Sequence, residues 1–352
     1  MDKARAKEFM GTMIGILNGG SLALMISVGH RTRLFDTLAP LGAVTSVELA
    51  DAASLDERYV REWLAAMTAG GIIEFDPETQ TYELPEEHEK LVTRAGGPLN
   101  VASTMQYIAL LGQVEDDVVE AFTTGAGVPY ARFPAFQSLM AEQSAARFDA
   151  GLLTETLPSI SGLVDRLESG IDVADVGCGS GHALVMMAKA FPNSSFVGYD
   201  FSDEALTTAR NAAVDSELSN LTFVAADAAA IDATDAYDFI TTFDAIHDQA
   251  YPDTVLANIA RALRTDGTYL CVEPKAASAL EDNLDDPMSP YLYTVSTMHC
   301  MSVSIAGGGE GLGTAWGTER IVETVNDAGF ARVEPHERRS DRTNTHFVCR
   351  KT

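Results

Sequence analysis

The chain has 352 residues, with 51 Asp and Glu against 24 Lys and Arg, a formal net charge of −27. That length suits two domains better than one, and 46% hydrophobic with 21% charged residues marks a packed globular protein, not a disordered acidic tail. So acidic a surface repels nucleic acid and anionic membrane, which argues against a protein that coats either.

The basic side chains are six Lys and eighteen Arg. An acid excess with few lysines points to a halophilic protein, because at molar salt charges are screened over about 3 Å. A merely acidic cytoplasmic protein is the plainer alternative. Cys178, Cys271, Cys300 and Cys349 are widely spaced, with no CxxC and no histidine at ligand spacing. The expectation is no metal site, no disulfide framework and a cytoplasmic location.

At the N-terminus, residues 9–29 carry no charge and follow Lys3, Arg5 and Lys7. Such a stretch could be a signal peptide or a membrane span. However, Asn18-Gly19-Gly20-Ser21 interrupts it, and no A-x-A-like cleavage site precedes His30 and Arg31. The expectation is two buried helices at a domain or dimer interface, with no membrane insertion.

Helices are predicted over Ser46–Ala53 and Glu57–Thr68, the second with Val60, Leu64 and Met67 on one face. Gly70-Gly71 ends it. Residues 72–75 and 81–84 then flank the turn Asp76-Pro77-Glu78-Thr79-Gln80 as a two-stranded wing. Helix, turn, helix, wing is the winged-helix pattern, which raises a DNA-binding regulator as the alternative function. Against it, the stretch from Glu74 to Glu89 carries seven acids and no Lys or Arg, where phosphate contact would need the opposite charge. Residues 1–94 are therefore read as a winged-helix domain used for homodimerisation and for walling a substrate site.

Residues 95–168 form a helical connecting segment. Phe133, Phe136, Leu139 and Met140 there either pack helices together or wall a substrate. From residue 169 short apolar runs alternate with helical patterns: strands at 171–176, 195–199, 221–225, 239–243 and 268–273, helices at 183–191, 204–214 and 254–263. This order implies α/β architecture, a doubly wound and mostly parallel sheet. A helix at 319–328 and strands near 332–335 and 346–350 complete seven strands, with an antiparallel addition at one edge.

The stretch Asp175-Val176-Gly177-Cys178-Gly179-Ser180-Gly181 lies where the first of these strands turns into a helix. Glycines there allow a tight turn and close ligand approach. The spacing is G-x-G-x-G, with His182 where a dinucleotide site has its last glycine. An acid two residues before the first glycine suits a ligand with an ammonium group better than a pyrophosphate. Asp200 ends the second strand, where a carboxylate can accept both ribose hydroxyls. Asp227 ends the third, in reach of an adenine amino group. Three carboxylates at successive strand ends fit S-adenosylmethionine, a cation without phosphate.

On these residues the region from about Asp172 to Arg350 resembles a class I S-adenosylmethionine-dependent methyltransferase. With the winged helix included, the whole chain is similar to small-molecule O-methyltransferases that carry such an N-terminal domain. The resemblance implies that Asp175 with Gly177, Gly179 and Gly181 holds the methionine end, Asp200 the ribose, and Asp227 with Ala228 the adenine. Phe201 would pack on the nucleoside, and Phe243 stands where some relatives have a cofactor-contacting lysine. The family's His-Asp-Trp motif is matched by His247-Asp248, with Gln249 departing from the tryptophan. By that resemblance His247 is the general base, supported by Glu273 and Glu319. A neighbouring carboxylate would fix the imidazole tautomer and stabilise the imidazolium.

Residues 275–317 read as a mobile lid, non-periodic, aromatic, sulfur-rich and rich in glycine near its end. Tyr291, Tyr293, Met298 and His299 from it, with Phe136 and Met140, are the candidate substrate residues; His299 is also an alternative base. The function expected is methyl transfer to a small-molecule acceptor, at oxygen.

Overall fold

A computed structural model describes the whole chain, residues 1–352. It divides into two compact units, Met1–Gln113 and Val114–Thr352. Residues 95–113 therefore belong with the first unit and 114–168 with the second.

The first unit opens with α1 (Lys3–Arg31), capped by the Asp2 carboxylate. The predicted break at residues 18–21 does not occur, and α1 is one helix of 29 residues. Glycine costs about 1 kcal/mol in a helix interior but does not stop one. Within this chain only Ala23, Ser27, Gly29 and His30 of α1 are buried. Phe9, Met10, Ile14, Ile16 and Leu17 are exposed, Leu17 by 68%. By length and composition alone α1 could span a bilayer.

Next come α2 (Leu34–Leu38), α3 (Ser46–Ala53) and α4 (Glu57–Ala69). Thr45 and Glu48 make a capping box at α3, and Asp56 caps α4. The predicted face of α4 is the buried one: Val60, Trp63, Leu64 and Met67 pack with Phe35, Leu38 and Leu49. Trp63 donates to the Met25 carbonyl at 2.9 Å, and a Cβ at Gly29 would fall 2.6 Å from the Trp63 ring. That glycine is what lets α1 lie against α4. The wing is β1 (Glu74–Asp76) with β2 (Thr81–Glu83), antiparallel. α5 (Glu86–Val92), α6 (Val101–Thr104) and α7 (Gln106–Gly112) finish the unit, the last two against α1.

In the second unit α8 (Glu115–Thr124), α9 (Phe136–Gly151) and α10 (Leu163–Ser169) precede the sheet. Then β3 (Asp172–Val176), α11 (His182–Ala190), β4 (Ser195–Asp200), α12 (Asp203–Asp215) and β5 (Leu221–Ala225) alternate, followed by β6 (Tyr237–Phe243), α13 (Pro252–Ala262) and β7 (Leu263–Pro274). After them come α14 (Ser289–Val295), α15 (Met301–Ala306), α16 (Thr318–Asp327), β8 (Arg332–His336) and β9 (Asn344–Arg350).

The seven strands run in the order β5-β4-β3-β6-β7-β9-β8; the first five are mutually parallel and β9 is antiparallel to both neighbours. Each face of the sheet buries its own apolar cluster, one around Ile240, Leu256 and Phe347, the other around Leu184, Phe239 and Leu270. Strand order reverses between β3 and β6, and open α/β sheets bind ligands at such a switch point.

The segment 275–317 is less loop-like than its sequence suggests. α14 runs through a π-turn, Ser296–Cys300, into α15. Its buried positions include Ser289, Ser296, His299, Ser302 and Ser304, so apolar spacing does not mark the helix. The glycines expected to give mobility are also tied down: Gly313 donates to the His247 carbonyl at 3.2 Å, and Ser304 donates to the Gln249 carbonyl at 2.8 Å.

Candidate active site

The glycine loop follows β3 directly. Gly177, Gly179 and Gly181 all have positive φ, a conformation that favours glycine. A Cβ on Gly177 would lie 2.7 Å from the Ala245 Cβ, and one on Gly181 2.7 Å from the Phe223 ring. Gly179 faces open space. The Asp200 carboxylate, at the end of β4, holds the loop: it accepts from the Gly179 N–H and the Ser202 N–H, each at 2.8 Å. Each of its oxygens keeps a lone pair for a ligand hydroxyl.

Around this loop a cavity opens at the carboxyl ends of β3, β4 and β6. Four carboxylates line it (Asp175, Asp200, Asp244 and Asp248) with no Lys or Arg. Asp175 is 2% exposed and accepts from the Thr241 hydroxyl at 2.8 Å. Burial pushes its carboxyl up to about 7, against the Thr241 bond. Burial also raises Asp200, and it raises Asp248 to about 6 against the pull of His247. An acidic cavity whose lining holds no Lys or Arg suits a positively charged ligand and not a phosphate. With an open glycine at its floor, the donor set fits S-adenosylmethionine.

Of the predicted cofactor residues, Gly177, Gly179, Asp175, Asp200, Phe201, Ala228 and Phe243 line this cavity. Gly181 lies behind them as the residue capping α11. Asp227 does not join them: it is outside the cavity lining, and its carboxylate accepts from the Ala229 N–H at 2.8 Å. An aspartate followed by three alanines caps its own short turn.

Beyond β6 the chain turns sharply at Asp244, φ 52°. Ala245 then packs on Gly177, and the next two residues face Glu273, fully buried at the end of β7. The Ile246 N–H donates to Glu273 Oε1 at 2.9 Å, and His247 Nδ1–H donates to Oε2 at 2.7 Å. Burial alone would push the imidazole down, but Glu273, with Cys300 beside it, holds it well above the usual histidine range. His247 is 5% exposed, one residue before the cavity-lining Asp248.

Glu319 is not part of this pair. Its carboxylate accepts from the Ser278 N–H at 2.9 Å, at the start of α16 and largely in solvent. A glutamate in the first turn of a helix satisfies local N–H groups and the helix dipole. His299 is fully buried, stacked on Phe136 with ring centroids 3.5 Å apart and edge-on to Phe133 and Tyr130. Neither ring nitrogen has a hydrogen-bond partner, and burial, with His247 nearby, pushes it down to about 3. Buried, outside the cavity lining and disfavoured as a proton acceptor by that shift, His299 is poorly placed to serve as the alternative base.

Phe136 and Met140 line the cavity, whereas Tyr291, Tyr293, Met298 and His299 do not. Asn283 donates to the Tyr293 hydroxyl at 3.1 Å, while Tyr291 and Met298 are half-buried. Residues that the sequence did not single out include Tyr130, Phe148, Thr241, Asp244 and Gln137. Only Asp244 carried a usable signal, a non-glycine directly after a strand and three residues before the histidine.

Residues 20–94 match the family described as Rv2258c-like winged HTH domain, and residues 167–329 match that of a methyltransferase domain. A demethylmenaquinone methyltransferase of Listeria monocytogenes is 26% identical over 110 residues, 31% of this chain and 46% of that protein. The chain thus spans about half the length of the curated relatives it matches. Among solved structures, mitomycin 7-O-methyltransferase superposes with a TM-score of 0.72 at 16% identity, covering 99% of this chain and 100% of that one. Human N-acetylserotonin methyltransferase, solved with S-adenosylmethionine, gives 0.66 at 17% identity, covering 100% and 98%. Two domain matches and a seven-stranded sheet of this order lead to one conclusion: the chain carries a methyltransferase domain over residues 167–329 behind an N-terminal winged helix-turn-helix domain over residues 20–94.

Proposed function

We propose that the protein methylates an oxygen of a small, uncharged, apolar acceptor, with His247 as general base and Glu273 orienting it. The observation that carries this reading is the buried His247–Glu273 pair at the ends of adjacent strands, beside an acidic cavity. In that cavity Asp175 and the glycine loop hold the methionine end, Asp200 the ribose, and Ala228 with Phe201 the nucleoside. S-adenosylmethionine supplies a methyl group on a sulfonium, already a good leaving group. What the chain must add is alignment and removal of the acceptor's proton. Glu273 fixes His247 with Nδ1 protonated, so Nε2 is the atom that accepts that proton. Four lining carboxylates, of which Arg147 pairs with only Asp244, disfavour a carboxylate acceptor, while Tyr130, Phe136, Met140 and Phe148 favour an apolar one. The O-methyltransferase likeness supports oxygen.

His247→Ala tests this: turnover should fall about 100-fold or more, while calorimetry shows cofactor affinity retained. A screen of phenols, amines and thiols identifies the acceptor. Unchanged turnover removes His247 from the mechanism, and failure to bind either cofactor form removes the whole reading.

The first unit is read as a homodimerisation domain, with α1 as its interface. Exposed apolar side chains along α1 support this, as does the open space around Gly11, Gly15, Gly19 and Gly20. The acidic wing disfavours a DNA-binding role. Four free cysteines support a reducing compartment such as the cytoplasm, and the acid excess supports work at high salt.

A further inference from the structure

The turn that carries His247 begins at a residue held in a largely enclosed ion pair. α9 presents Phe136, Met140, Ser144 and Phe148 to the cofactor cavity. On the same helix Arg147, its side chain 18% exposed, pairs with the Asp244 carboxylate, 7% exposed. Asp244 is the residue with left-handed backbone that swings the chain from β6 toward Glu273. Its own N–H is tied to the Val272 carbonyl at 2.9 Å, so its carboxylate stays at the cavity edge. A carboxylate so enclosed is costly without a partner, and removing one member of a buried pair leaves the other uncompensated.

We propose that Arg147 is a positioning residue: by neutralising Asp244 it holds the strained turn that sets His247 against Glu273, and it links the cofactor-lining helix to the base. Asp244 lines the cavity, whereas Arg147 stands outside its lining. Asp341, which accepts from His346 at 3.2 Å, also faces the Arg147 cation and is held down by it after the His346 bond. Arg147 thus pairs with the turn after β6 and acts electrostatically on Asp341, in the loop before β9. The kinetic part of this inference rests on His247 as base; the structural part does not.

The test compares Arg147→Met, Arg147→Lys and the double variant Asp244→Asn with Arg147→Met. Two quantities are read: kcat, and the far-downfield proton resonance of a carboxylate-bonded His247 Nδ1–H, assigned by its absence in His247→Ala. Arg147→Met should lower kcat about 10- to 100-fold, the range typical of groups that orient a functional side chain, and lose the resonance. Affinity for S-adenosylhomocysteine should change much less. Arg147→Lys should restore the resonance, and the double variant, which leaves no unpaired charge, should recover it in part. A resonance that survives in Arg147→Met overturns the proposal whatever kcat does, and so does a double variant no better than Arg147→Met. If His247→Ala keeps full turnover, the base assignment fails, while the resonance comparison still decides whether Arg147 holds the turn.

Discussion

Asp175 makes cofactor binding a proton-linked event. With its carboxyl raised to about 7, the empty protein at pH 7 carries a proton on this residue roughly half the time. A cation in the cavity favours the carboxylate, so binding expels that proton. Affinity then falls on the acid side by up to about tenfold per pH unit, about 1.4 kcal/mol each. Between about pH 7 and pH 5 the expected loss from Asp175 alone is roughly 50-fold, and Asp248, at about 6, adds to it at the lower end. Calorimetry with S-adenosylmethionine in buffers of different ionisation enthalpy counts the protons: about half of one released at pH 7, approaching one at pH 6. Asp175→Asn keeps a partner for Thr241 but has nothing to titrate, so most of the slope should vanish and affinity at pH 7 should drop. The same shift sets the sign for stability. A carboxyl raised in the folded state stabilises the empty protein below its unfolded value of 3.8, and that contribution is lost as pH rises through about 7. Cofactor protection against unfolding should therefore grow over that interval. Affinity independent of pH between about 5 and 7, with no proton released, would refute the linkage.

The other expectations are briefer. Because His247 is held above the usual histidine range and only the neutral imidazole accepts a proton, kcat should rise with pH through a raised midpoint. A pH–rate profile with its acid limb at or below about 6.5 would count against His247 as base. Gly181→Ala forces a residue at φ 73° against the Phe223 ring and the Ala209 Cβ, so denaturant unfolding should show a loss of about 2–4 kcal/mol. Gly179→Ala carries the same left-handed backbone cost, about 1–2 kcal/mol, but meets no neighbour, so it should weaken cofactor affinity with a smaller stability loss; equal losses for both would contradict the geometry. Leu17→Glu, on the exposed face of α1, should shift light-scattering mass from dimer to monomer, and vesicle binding lost in its place would assign α1 to a membrane.

Much of the fold was legible because local signals agreed. The α4 face, the wing, the five parallel strands and the glycine loop each showed a period or a turn that no long-range contact had to supply. The helices at 289–306 were not legible because serines and a histidine occupy much of their buried face, and the continuity of α1 was not because glycine runs weaken a helix without ending it. In the site, the resemblance to O-methyltransferases paired His247 with Glu273, and their places at adjacent strand ends agreed with it. Glu319 could not be excluded, since its local bond to Ser278 satisfies it. Nor could His299, whose burial among Phe133, Phe136 and Tyr130 depends on helices far apart in sequence.

By itself the sequence determined the two-part architecture, the sheet and the acids at its strand ends, because those follow from spacing along one chain. Tertiary structure decided what the acids do. Of the three strand-end aspartates, two face the cavity and Asp227 caps its own turn. Asp244 and Asp248 became cavity carboxylates only once the β6 turn had formed. Charge is written in the chain, but burial and pairing set its proton affinity, and both depend on residues brought together by the fold.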